Sequence, residues 1–441
     1  MARWVTKNLL IAAASLQAAF FAQVQGGTCE PLLHQPPASG LERQIGQAIF
    51  AASWLPAPDV SDGADGLGPL YSATSCRGCH GDTVDGITTP VSVAAEPFVQ
   101  RVVRLGDQTT SAPDPRYGRQ IQERAIAGHA REATVAVTWE RVLLALGNGR
   151  ALEARQPAVA VTGLAYGPLA PTTRLLLRRP PPLQGSGVIA AIPDDAIQAG
   201  ADPDDRDGDG VSGRVVVVPD GDGGAQRVGR FGWKARLATL AQQSADAFSL
   251  DMGLSSPLAP GGAGDCTPHQ RLCRGAPDGA SSAKGGYEVD AREIELVAAY
   301  LGGLPPPAPN WPPLRVAQGE RQLTALACTA CHRPAFEALP AGARPYSDLL
   351  VHDMGEGLAD AASDTEKATQ REWRTAPLWG MAGRLDQIAR GEIDGLLHDG
   401  RAQTIEAAIA WHGGEARSSR DRFFALSPQE QSALVDFLRG L

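Results

Sequence analysis

Aromatic side chains are scarce here: Phe, Trp and Tyr supply 5% of the 441 residues, which argues against a core built on large rings. Gly and Pro are plentiful instead, at 50 and 34 residues, a composition that suits helices separated by long ordered loops. An excess of basic residues is also missing. Lys and Arg number 40 against 49 Asp and Glu, for a net charge of −9. That balance disfavours nucleic-acid binding and would steer in a basic partner, although it equally serves plain solubility. Beyond the N-terminus there is no hydrophobic run long enough to span a bilayer. No lipobox precedes Cys29, because Gly26-Gly27-Thr28 lacks the large aliphatic residue, so lipid attachment is not expected.

The N-terminal run itself is short. Arg3 and Lys7 precede apolar residues from Leu9 to Ala22, and small residues follow, with Val24-Gln25-Gly26 as a cleavage site. Residues 1–26 therefore read as a secretory signal peptide, with an uncleaved anchor as the alternative. About 415 residues then remain, enough for two or three domains with real cores.

Seven cysteines are present, and four of them carry the chain's most specific pattern. Cys76-Arg77-Gly78-Cys79-His80 and Cys328-Thr329-Ala330-Cys331-His332 are two copies of Cys-x-x-Cys-His. A lone Cys-x-x-Cys would also fit a redox dithiol or half of a zinc site. Two copies followed by His read as covalent attachment of two c-type haems, with both thiols bonded to the porphyrin and the His bound to iron. The attachment residues are thus Cys76, Cys79, Cys328 and Cys331, and the proximal ligands His80 and His332. Bacterial c-type haem is attached outside the cytoplasmic membrane, so the expected location is the periplasm. In that oxidising compartment Cys266 and Cys273, close together in a Gly/Pro-rich loop, are expected to form a disulfide. Cys29 is left without a role.

The chain reads as a duplication. Residues 293–304, EIELVAAYLGGL, resemble residues 430–441, EQSALVDFLRGL. Asp290 lies three before Glu293, and Ser427-Pro428-Gln429-Glu430 is a capping box with Pro at the first helical position. Each segment is expected to close a mainly α, cytochrome c-like haem domain: residues 27–304 and residues 314–441, joined by a stiff Pro-rich linker over 305–313. A second pair, Arg179–Gly187 and Arg374–Ala382, reads as equivalent loops near the distal face of each haem.

The N-terminal domain is longer, so it carries insertions of long loops and short strands. One spans Asp202 to Gly224, where Asp205, Asp207 and Asp209 alternate before Gly210 as in the opening of a calcium loop. The twelfth position is Val216, so the bidentate Glu of an EF-hand is missing; a solvated acidic turn is the better reading, with a partial calcium site as the alternative. The other, Ser255 to Gly286, is long enough to suggest function, and the expected disulfide argues for its order.

The sixth iron ligand decides whether such a protein carries electrons or also binds a substrate. Outside the motifs the candidates are His34, His129, His269, His352, His398 and His412, with Met252, Met354 and Met381. Between Gly81 and Gly128 there is neither His nor Met, so the first haem is expected to have an open position unless His129 reaches it. The second haem is surrounded by choice, and composition does not select among His352, Met354, Met381, His398 and His412. Asp353 and Asp399 are placed to orient neighbouring groups.

Five stretches carry a family resemblance: residues 67–80 (LGPLYSATSCRGCH), 229–235 (GRFGWKA), 349–359 (LLVHDMGEGLA), 372–380 (EWRTAPLWG) and 397–406 (LHDGRAQTIE). Together they resemble the dihaem oxidoreductase family. They are similar, more weakly, to bacterial dihaem cytochrome c peroxidases and to the enzyme that matures methylamine dehydrogenase. The resemblance implies a reactive N-terminal haem fed by a C-terminal relay haem. It places the sixth ligand of the latter at His412, with Met354 as the alternative. The distal His that peroxidases carry soon after the first motif is absent, which implies an open first haem without reductive activation. Gln184 is a candidate wall of the reactive pocket, and Trp139 and Trp379 are candidate bridges for electron hopping. The expected partners are peroxide or another small oxidant and a small redox protein. A non-catalytic electron carrier and an oxidase of a protein or metal-linked substrate are the competing readings.

Overall fold

The computed structural model describes residues 39–58, 64–84, 87–89, 98–107, 110, 112–221, 224–340, 342–360 and 369–441. The expected signal peptide 1–26, Cys29 and His34 lie outside them. Twelve α-helices and thirteen strands occur among the described residues. No described helix is long and apolar enough to cross a membrane.

The elements that position the site are, in chain order, helix α1 (Gly40–Ala51), strands β1 (Val102–Asp107), β2 (Thr134–Ala145), β3 (Ala151–Thr162) and β4 (Thr173–Arg178), helices α2 (Leu240–Met252), α3 (Ala291–Gly302) and α4 (Pro313–Ala325), strands β5 (Val351–Asp353) and β6 (Glu372–Arg374), and helices α5 (Met381–Ala389) and α6 (Pro428–Arg439). Helices α2, α3 and α6 start in capping boxes, from Thr239 and Gln242, Asp290 and Glu293, and Ser427 and Glu430. Side-chain oxygens there satisfy amide groups that a helix start leaves unpaired.

The two related segments make the same kind of crossing. Gly46 of α1 lies against the Leu296 carbonyl, with its missing Cβ 3.0 Å from the Tyr300 Cβ, while Gly319 of α4 lies against the ring of Phe437. Tyr300 and Phe437 hold equivalent places in the two related segments, eight residues into each. Any side chain at either glycine would collide with the facing helix, so the close approach depends on the absent Cβ.

Two large apolar cores follow. One gathers Phe50, Trp54, Phe248, Val297 and Leu301, and takes in Leu349, Leu350 and Trp379 from late in the chain. The other gathers Leu323, Trp373, Trp411, Phe423 and Phe437, and receives Leu146 from the hairpin turn. The strands are not all short, contrary to the expectation for the N-terminal insertions. β2 and β3 pair antiparallel over twelve residues each, from Thr134 opposite Thr162 to Ala145 opposite Ala151. The hairpin reaches that length because its two ends rest on different cores: Val135 and Val137 on a small third one with Val103 and Tyr117, Val142 and Leu144 on the second large one.

Candidate haem-binding centres

The first motif lies on a four-residue helix, Arg77–His80, whose turn is closed by Gly78 N–H donating to Ser75 Oγ at 3.1 Å. Cys76, Cys79, Cys328 and Cys331 are all half-buried and none is in a disulfide, whereas Cys266 and Cys273 are joined. Burial pushes the Cys76 thiol up to about 12, with the charge of Asp251 adding to the effect. Burial also takes His80 down to about 4, against the opposing pull of Asp251 and of a hydrogen bond to the Pro181 carbonyl. That bond engages one ring nitrogen and leaves a neutral imidazole with the other, the state a metal requires.

A cavity opens beside His80. Its inner part is lined by α2, including Asp251 and Met252, and its outer part runs toward Pro307, Asn310 and Leu441. Arg179–Gln184 and Arg374–Arg384 contribute to the same cavity. This corrects the reading of those loops as equivalent walls of two separate sites. Gly185 sits at φ 74° with the Trp379 ring where a Cβ would be, so the two loops pack directly on one another. Gln184 does line the cavity, but three residues from Pro181, whose carbonyl holds His80. Its loop supports the motif His and is not an isolated opposite wall.

The second motif is arranged differently. His332 Nδ1 lies 2.9 Å from the Tyr346 carbonyl oxygen, and His412 Nδ1 lies 2.8 Å from that of Ala408. A carbonyl only accepts, so each Nδ1 carries the proton and each Nε2 has its lone pair free. The two rings face one another with centroids 6.4 Å apart. Burial lowers both rings, His332 to about 4. His412 follows the short helix Ile405–Ala410, where Thr404 Oγ1 caps the Ala407 N–H. Met354 packs against the second core as a partly buried apolar side chain.

The other candidates have other neighbours. His352 is clasped between Asp348 Oδ2 at 2.9 Å and Glu415 Oε2 at 2.8 Å. His398 stacks on Trp373 at 3.7 Å, and burial, with the charges of Arg178, Arg401 and Lys234, holds it well below the usual imidazole range. His129 is half-buried with Nε2 3.4 Å from the Leu272 carbonyl, and His269 is exposed. Neither lines the cavity beside His80, whereas Met252 does. Met381 is buried in the second core. Asp353 accepts from Arg371 and Gly355 N–H, and Asp399 binds Arg401 with its Oδ2 also 3.7 Å from His398 Nε2. Trp139 lies in the hairpin under Arg155, 3.9 Å away, and Trp379 lines the cavity.

Asp205, Asp207 and Asp209 bring one carboxylate oxygen each within 4.8 Å of one another, with half-buried to exposed side chains. The turn continues into Ser212, whose N–H and hydroxyl both donate to Glu415, the partner of His352.

Sequence reasoning missed Asp251 and Arg384, and marked Arg179 and Arg374 only as the first residues of two resembling loops. Each sits far along the chain from His80, and no local spacing ties it to that motif.

The chain was compared with known proteins. A family model described as "Di-haem oxidoreductase, putative peroxidase" matches residues 120–441. No curated protein matches. Among solved structures, a xenon-pressurised hydrazine synthase from Kuenenia stuttgartiensis is matched at 14% identity, covering 65% of this chain and 100% of that one, with a TM-score of 0.25.

Proposed function

The chain belongs to the di-haem oxidoreductase family, and on that premise we propose that it is a periplasmic, peroxidase-like enzyme with two unequal haem centres. Cys76 and Cys79 would hold one haem c with His80 on its iron, and Cys328 and Cys331 the other with His332. Residues 27–304 and 314–441 would be the two cytochrome c-like domains, the linker 305–313 running past the outer cavity. The repeated Gly46–Tyr300 and Gly319–Phe437 crossings support that division.

The chain fits the cofactor its family implies. Four motif thiols outside any disulfide, two motif imidazoles each held by a backbone carbonyl, and a cavity against one of them are what covalent haem needs. When bound, haem supplies redox-active iron, open to a small oxidant where the sixth position is free and suited to electron relay where it is filled.

The observation that carries the reading is the asymmetry of the two His residues. His332 has His412 across from it, with the ring nitrogens of both prepared for a metal. No second imidazole among the described residues lines the cavity beside His80. His412 would fill the relay centre, in place of Met354, and the His80 centre would take peroxide or another small oxidant. Asp251, the carboxylate on the inner wall, would take a proton from the bound peroxide and return it to the departing oxygen as the O–O bond breaks. Its Oδ1 accepts from Gln120 Nε2 at 2.8 Å, which fixes the carboxylate in place. Electrons would come from a small basic redox protein drawn by the net charge of −9. The turn at Asp205, Asp207 and Asp209 would be a partial calcium site.

The test is to mix fully reduced protein with hydrogen peroxide. One equivalent should reoxidise both haems, since each iron gives one electron and peroxide takes two with two protons to form water. Asp251→Asn should slow the reaction by about 10²–10⁴-fold while leaving haem content unchanged. Reduced protein that ignores peroxide but hands electrons to a redox protein would establish a carrier. Met252, buried on the inner cavity wall, is the side chain that would then fill the first centre.

A further inference from the structure

The wall of the cavity beside His80 carries many cations, and apart from Arg104 they divide into two groups. Arg178 and Lys234 share Asp360, Arg230 has Asp194, and Arg236 has Asp246. Among the described residues, Arg179, Arg374 and Arg384 make no such ion pair. Arg179 donates to the Gly395 carbonyl, Arg374 to those of Gly232 and Thr375, and Arg384 to those of Pro377 and Trp379.

A guanidinium does not give up its proton inside a protein, so these charges persist and call for an anion. The demand is sharpest where two meet. Burial, and then the neighbouring Arg179, takes Arg384 down to about 9; burial takes Arg179 to about 10, with Asp394 and Asp399 too distant for contact. Arg374 is pulled the same way by burial and is partly relieved by Asp348. Arg179 and Arg384 also differ from Arg374 in place, because they line both the inner and the outer part of the cavity.

We infer that Arg179 and Arg384 clamp the two propionate carboxylates of the haem attached at Cys76 and Cys79. One cation comes from each half of the chain. The planar fork of Arg matches a carboxylate through paired N–H donors, and two such forks match the two acids of one porphyrin. The carbonyls of Pro377, Trp379 and Gly395 then hold the forks and are not their final partners. Trp379, packed in the space left by Gly185, anchors the chain just before α5, the helix that carries Arg384.

This inference rests on a haem being attached at His80 but not on that haem being reactive. It is tested on haem-loaded protein by spectroelectrochemical titration of parent, Arg179→Gln, Arg384→Gln and Arg384→Lys across a range of pH. The two haems are told apart by the spectral change that His332→Met makes in one of them. Loss of a nearby cation disfavours the reduced iron, so each Gln variant should lower the potential of the His80 haem. A propionate freed from its cation titrates, so that potential should also become more pH-dependent. Arg384→Lys, which keeps the charge, should stay close to the parent, and the His332 haem should not move. An unchanged potential and pH profile at the His80 haem in both Gln variants overturns the clamp, as does a shift confined to the other haem. If Arg384→Gln loads no haem, Arg179→Gln and Arg384→Lys decide between the same outcomes. A high-spin His80 haem whose potential ignores both Gln changes would sink the clamp and spare the peroxidase reading. Two low-spin haems with the potential shift intact would do the reverse.

Discussion

His352 shows what a side chain's partners can settle that its position in the sequence cannot. It was one of five ligand candidates around the second motif, and it is spent on Asp348 and Glu415. Burial opposes its charge, but the hydrogen bonds it donates to Asp348, Cys331 and Glu415 outweigh that and push it up to about 12. His352→Ala would strand two carboxylates, and a loss of about 3–5 kcal/mol is expected in chemical denaturation, with both haems still attached. Glu132 is the opposite case. Burial lifts its carboxyl from 4.5 to about 8, against hydrogen bonds from Gln122 N–H and Gln270. The folded protein therefore holds a proton there that the unfolded chain releases, and stability falls as pH rises through that window. Melting temperatures at about pH 5 and about pH 8 should differ more in the parent than in Glu132→Gln; equal differences would remove Glu132 from the account. The two Cys-x-x-Cys-His motifs were legible because their pattern involves only neighbours in sequence. The meeting of Arg179, Arg384 and Asp251 was not, because tertiary folding alone brings them to one cavity.

Helices α1 with α3, and α4 with α6, cross at glycines whose partners stand at equivalent places in the two related segments. The capping signals for α3 and α6 were readable in advance, since they lie within one turn of each helix start. The glycine contacts were not, because a glycine in a helix looks like a weak point until its neighbour is known. Gly319→Ala should destabilise the protein by about 1–3 kcal/mol, and Gly46→Ala by a similar amount, read from denaturant midpoints. A neutral effect at both would mean that the crossings are loose. The β2–β3 hairpin escaped notice for another reason. Its strands alternate between exposed and half-buried residues, and only the cores beneath its two ends explain so long a pairing.

At the scale of the whole molecule, the two halves are not independent haem carriers placed side by side. The cavity beside His80 is built from both, through the Arg179–Gly187 and Arg374–Ala382 loops, and Trp379 belongs to the first core. The His332 centre, by contrast, is made from the C-terminal half, with Tyr346 and Ala408 holding the two imidazoles. A shared, cation-rich cavity at one centre and a closed pair of imidazoles at the other make the two chemically unequal. Low-temperature EPR of the oxidised, haem-loaded protein measures that inequality directly. One high-spin and one low-spin signal are predicted, the low-spin signal being lost in His412→Ala and unchanged in His129→Ala. Two low-spin signals, one of them converted to high-spin by Met252→Ala, would contradict an open first centre and make the protein an electron carrier.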